Sequence, residues 1–91
     1  MMISVETRTI HSAMELAQML RELKQAVAQG VVRQVHPRQT VLLREIRLED
    51  IPDKWPWPDY IEMYFEDVNT RDVYRLSVET YHGIGGSCER A

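Results

Sequence analysis

Residues 59–81 constrain the fold more than any other stretch, because they read as two β-strands meeting at a tight turn, each with one apolar and one polar face. In the first strand Ile61, Met63 and Phe65 alternate with Tyr60, Glu62, Tyr64 and Glu66, the period of two expected of a half-buried strand. In the second, Tyr74, Leu76 and Val78 alternate with Val73, Arg75, Ser77, Glu79 and Tyr81. Pairing positions whose numbers sum to 139 sets Phe65 opposite Tyr74, Met63 opposite Leu76 and Ile61 opposite Val78, around a turn centred on Asn69-Thr70. The same register sets Tyr64 opposite Arg75 and Tyr60 opposite Glu79. One register satisfies both faces, and such agreement fixes strand pairing.

The remaining elements follow from local signals. Residues 2–9 alternate weakly, with Ile3 and Val5 on one side, and predict a short strand. Ser12 and Glu15 form a capping box, whose side chains satisfy free N–H groups at a helix start. Leu16, Met19, Leu20, Leu23, Ala26 and Val27 then recur at helical spacing until Gly30, which accepts the left-handed conformation common after a helix end. Residues 31–36 predict a strand that Pro37 interrupts. Residues 40–48 fit either period, and their Thr40, Val41 and Ile46 favour a strand. Residues 49–58 hold Pro52, Pro56 and Pro58 and predict a loop. Residues 82–87 contain Gly83, Gly85 and Gly86 and predict a flexible tail, with room for a last short strand at 87–90.

The expected fold is therefore α+β, a single domain over 1–91, with one amphipathic helix packed on a mostly antiparallel four- or five-stranded sheet in the order β-α-β-β-β-β. The expected core is Ile3, Val5, Leu16, Leu20, Leu23, Val27, Leu42, Ile46, Ile61, Met63, Phe65, Tyr74, Leu76 and Val78.

Ninety-one residues with 44% hydrophobic and 27% charged content suit one small globular core. The lone Cys88 has no disulfide partner, the first residues lack a signal-peptide pattern, and no apolar run reaches the roughly 20 residues needed to cross a bilayer. A cytoplasmic, non-membrane protein is expected. Net charge is −3, unevenly spread: residues 1–50 carry seven Lys/Arg against six Asp/Glu, whereas residues 51–91 carry four against eight. Such an acidic second half repels phosphate backbones, which argues against nucleic acid and for a basic partner.

No motif points to a cofactor or a metal. The segment His82-Gly83-Ile84-Gly85-Gly86 resembles a phosphate loop only in its glycines, with neither a following helix nor a lysine, and reads as a turn or bulge. Glu79, His82 and Cys88 are the only residues that a small enzyme or metal protein could use, and they lack ligand or nucleophile spacing. Glu62 and Glu66 stand about 13 Å apart on one strand face, too far for a coupled acid pair. Asp67 and Asp72 flank the turn, where aspartate commonly bonds nearby backbone.

Trp55-Pro56-Trp57-Pro58 leaves two readings open for each tryptophan, a lid over the core or a contact patch. Together with the polar face of the hairpin it defines a candidate partner-binding surface of Trp55, Trp57, Tyr60, Glu62, Tyr64, Glu66, Glu79 and Tyr81. Tyrosine and tryptophan supply contact area, and carboxylates steer a basic partner. The expected function is protein binding without catalysis, cofactor or metal, and toxin-neutralising immunity or antitoxin proteins are one class that fits. A self-associating homodimer is the alternative.

Overall fold

The computed structural model describes residues 8–36, 46–52 and 54–91. Five strands, β1 (Arg8–Ile10), β2 (Val32–Val35), β3 (Tyr60–Asp67), β4 (Val73–Glu79) and β5 (Gly85–Arg90), form one antiparallel sheet in the order β1-β5-β4-β3-β2. The helix α1 (Ala13–Ala28) connects the two edge strands, which run the same way. Its 16 residues span about 24 Å, enough to cross the roughly 19 Å between the outer strands of a five-stranded sheet. The α+β fold is as expected from the sequence.

Both ends of α1 are fixed by local chemistry. At the start, the Ser12 hydroxyl accepts from Glu15 N–H at 3.1 Å, and the Glu15 carboxylate reaches back to His11 N–H at 3.1 Å. At the end, Gly30 takes φ +75° while its N–H donates to Val27 C=O and Val31 N–H donates to Ala26 C=O. These two bonds satisfy carbonyls that the helix leaves unpaired, the Schellman arrangement. Between the ends, Leu16, Met19, Leu20, Leu23 and Ala26 are buried.

The sheet face beneath the helix carries Ile10, Val32, Ile61, Met63, Phe65, Tyr74, Leu76, Val78 and Cys88, and with the α1 residues these form one core cluster. Leu48, from a short 3-10 turn (Leu48–Asp50), Ile51 and Trp57 close it. The β3–β4 register is the one that the alternation predicts, from Tyr60 opposite Glu79 to Glu66 opposite Val73. In the connecting turn, the Asp67 carboxylate accepts from the N–H groups of Asn69 and Thr70, which accounts for aspartate at that position.

Several expectations need correction. Val27 is 38% exposed: it sits in the last helical turn and lines a surface groove of about 470 Å³ with Lys24, Gln34 and Leu48. Ile46 is half-buried, and Leu48 belongs to the 3-10 turn, so the strand expected over 40–48 does not extend through these residues. The rest of that strand, with Leu42, lies outside the described residues, as do Ile3 and Val5. Residues 85–87 belong to β5 and are not a flexible tail. Gly86 is opposite both Ile10 and Val78, in the interior of the sheet. A Cβ there would lie 2.0 Å from the Ser77 carbonyl oxygen, so close backbone approach, and not flexibility, explains this glycine.

Candidate functional site

The second face of the sheet has no described helix or strand over it. Rows of side chains read straight across it from the strand registers. Thr9, Ser87, Ser77 and Glu62 form one row, Glu89, Arg75, Tyr64 and Val35 the next, and Val73, Glu66 and Arg33 a third. Small hydroxyl side chains therefore lie beside a row of large ones.

Glu62 is the unexpected member. It stands on the face away from the helix, yet its side chain is only 2% exposed. Strand geometry explains how: Tyr60 and Tyr64 flank it two positions away on the same face, Ser77 stands directly across, and Arg75 occupies the diagonal. The Tyr64 hydroxyl donates to Glu62 Oε2 at 2.8 Å, and the Tyr60 hydroxyl donates to Oε1 at 3.3 Å. Tyr60 Oη also lies 3.1 Å from Ser77 Oγ, and Arg75 Nη2 lies 3.9 Å from Glu62 Oε1. A buried carboxylate is tolerable only with such partners.

The network shows in the acid–base chemistry of its members. The hydrogen bond to Glu62, reinforced by burial, raises the Tyr64 pKa above its ordinary value, because ionisation would set two negative charges together. The Tyr60 hydroxyl beside Arg75 keeps that guanidinium firmly protonated despite partial burial. Arg75 Nε is enclosed without a hydrogen-bond acceptor, while the side chain as a whole remains 38% exposed.

Glu66 is likewise engaged, accepting from Arg33 Nε at 2.7 Å with Arg71 Nη1 3.7 Å away. Asp72 pairs with Arg90, which holds the Asp72 carboxyl below its ordinary pKa. Glu79 contacts His82 Nδ1 in the exposed turn after β4. Tyr81 lies in that turn, beyond the end of β4, and not on the strand face with Glu79. It is 68% exposed, with its ring edge-on to His82 at 4.6 Å between centroids.

The two tryptophans divide between the readings left open by the sequence. Trp57 is a core residue, 6% exposed, and its indole N–H donates to Pro52 C=O at 2.8 Å. Trp55 is 64% exposed and meets Trp57 edge to face at 6.1 Å between centroids. The Thr80 N–H donates to Asp59 C=O and its hydroxyl to Pro58 C=O, so the Trp55 loop and the Tyr81 turn are tied to the same end of the sheet.

The residues considered for thiol or metal chemistry are not brought together. Cys88 pairs with Leu76 on the helix-side face and is 3% exposed, and burial pushes its thiol up to about 11. Glu79, the last residue of β4, and His82, in the turn after it, are both exposed. Among the described residues no group of three or more His, Cys, Asp or Glu could hold a metal ion, and no helix is long and apolar enough to cross a membrane. In the groove beside Val27, Lys24 Nζ donates to Ile51 C=O and Arg47 pairs with Glu49, so these two cations already have partners.

Sequence reasoning overlooked two features of this surface: the interior position of Glu62, and Arg75 as its cationic neighbour. The first had a signal, a carboxylate between two tyrosines at i−2 and i+2 on one strand face. No family model, curated protein or solved structure matches the chain.

Proposed function

We propose that this protein is a binding module that recognises another protein through the open face of its sheet and the aromatic end formed by the Trp55 loop and the Tyr81 turn. The observation that carries this reading is the Glu62 network. Tyrosine, tryptophan and arginine dominate binding hot spots, and here one buried carboxylate accepts from two tyrosine hydroxyls with an arginine beside it. Side chains already held in place lose little freedom on binding, so more of the contact energy appears as affinity. Glu62 itself acts from below, by orienting the residues that a partner would touch.

Asp59 and Glu89 have no ion-pair partner among the described residues, which supports a partner with a basic surface. A small acidic protein that covers a basic surface fits a toxin-neutralising immunity or antitoxin role, and its lone thiol suits the cytoplasm.

The test uses the intact chain as bait, followed by affinity measurement on the captured partner with Tyr64→Ala, Glu62→Lys and Trp55→Ala. Each should weaken binding about tenfold or more, as removal of a hot-spot residue does. Trp55→Ala is the informative tryptophan variant, since Trp57 is part of the core. Affinity unchanged in all three would refute the surface. Sedimentation of the free protein distinguishes the remaining occupant: a dimer weakened by the same substitutions would assign this face to self-association.

A further inference from the structure

The geometry points to an arginine side chain of the partner as the group received at the aromatic end of the sheet, which carries Trp55, Asp59 and Tyr81. This inference rests on the protein-binding reading and names the chemistry of one contact within it. Two large aromatic side chains, 64% and 68% exposed, stand at the same end of the sheet, and each is braced by another ring. Trp55 leans on Trp57, which is itself anchored by the core and by Pro52, and Tyr81 leans on His82. Trp55 is thus backed by a core residue, and Tyr81 by the exposed ring of His82.

Charge selects what covers them. Asp59, between Trp57 and β3, is exposed and makes no ion pair among the described residues, and Glu79 is 52% exposed with only His82 against it. Lys54 is the one exposed Lys or Arg within the described part of the Trp55 loop. Aromatic faces beside carboxylates attract cations through the ring quadrupole and direct charge together. A guanidinium suits the site better than an ammonium: it is planar, stacks on a ring and still donates two parallel hydrogen bonds to a carboxylate.

The experiment titrates the intact protein with three short glycine-serine peptides carrying arginine, lysine or citrulline, at low salt, following tryptophan fluorescence and amide chemical shifts. The arginine peptide should saturate the signal and perturb amides near Trp55, Asp59 and Tyr81. It should bind at least about fivefold more tightly than the lysine peptide, with citrulline silent. Trp55→Ala, Tyr81→Ala and Asp59→Asn should each weaken it several-fold, and these exposed positions leave the melting temperature nearly unchanged. Equal binding of lysine and arginine peptides, or unchanged binding in the three variants, would overturn the inference. Tyr64→Ala separates it from the broader reading: that variant should lose the captured partner yet keep the arginine peptide. If no arginine peptide binds while Tyr64→Ala still loses the partner, the inference falls and the open-face reading stands.

Discussion

Gly86→Ala should be among the most damaging single-methyl changes available to this protein. The added Cβ would sit 2.0 Å from Ser77 O, 2.7 Å from Val78 Cα and 2.9 Å from Ser77 C, all backbone atoms of the neighbouring strand. An ordinary C···O approach is about 3.3 Å, so β5 must retreat about 1.3 Å from β4 at the very rung where the two strands bond. A shift of that size stretches a hydrogen bond beyond useful length, at about 1 kcal/mol for each bond lost, on top of about 1 to 3 kcal/mol for overpacking. The retreat is also blocked, because β1 pairs with the other edge of β5 at the same residue. A total of about 2 to 4 kcal/mol is a large share of the roughly 5 to 14 kcal/mol expected for a chain of this length. The melting temperature should fall by about 8 to 30 °C. Gly85→Ala supplies the control, since its Cβ would meet nothing within 4 Å. It carries the same loss of unfolded-state freedom and should melt within a few degrees of the parent. If Gly86→Ala melts with Gly85→Ala, the close approach of β4 and β5 is wrong.

Three further outcomes follow from the same contacts. Glu62→Ala leaves the Tyr60 and Tyr64 hydroxyls without their shared acceptor and Arg75 without its nearby countercharge, and should lower stability by about 1 to 3 kcal/mol, read as a shift in the urea midpoint at constant slope. Tyr64 has a folded pKa raised above 10.0, so its bond contributes stability fully below that value and loses it as pH climbs through the folded pKa. Ultraviolet titration should show a late-ionising tyrosine that is missing in Tyr64→Phe, and identical titrations of the two proteins would contradict the bond. Trp57→Ala should cost about 3 to 5 kcal/mol in thermal or chemical unfolding, against less than about 0.5 kcal/mol for Trp55→Ala, and similar losses would mean that their burial is misassigned.

The hairpin was legible because its two faces had to agree on one register, and that constraint is internal to residues 60–79. The helix was legible because both caps are local, needing only Ser12, Glu15 and Gly30. What escaped was non-local. Glycine at 85 and 86 looks like slack in a linear reading, and only the approach of Ser77 from the neighbouring strand turns Gly86 into a requirement. The two tryptophans are chemically identical in sequence, and their fates diverge through a single acceptor, the Pro52 carbonyl, together with a place in the core cluster. Glu62 could be assigned to its face by parity, but its burial depends on tyrosine rings and an arginine that only the folded strands assemble.

The same assembly changes the meaning of the acidic second half. Of the eight carboxylates in residues 51–91, Glu62, Glu66, Asp72 and Glu79 lie against Arg75, Arg33 with Arg71, Arg90 and His82 respectively. Apart from buried Glu62, these are surface pairs that contribute little stability, but all four pairs cancel much of each other's field at a distance. Among the described residues Asp59, Asp67 and Glu89 remain without an ion pair, so the long-range attraction on the proposed basic partner would be weaker than the sequence balance suggests. Steering of that strength assists encounter without determining who binds. On the proposed binding reading, selectivity would fall instead to groups held by packing and hydrogen bonds, the two tyrosines beside Glu62 with Arg75, and Trp55 against Trp57. A carboxylate that would repel neighbouring acids on an open surface is, when enclosed between two phenols, what gives that surface a definite shape.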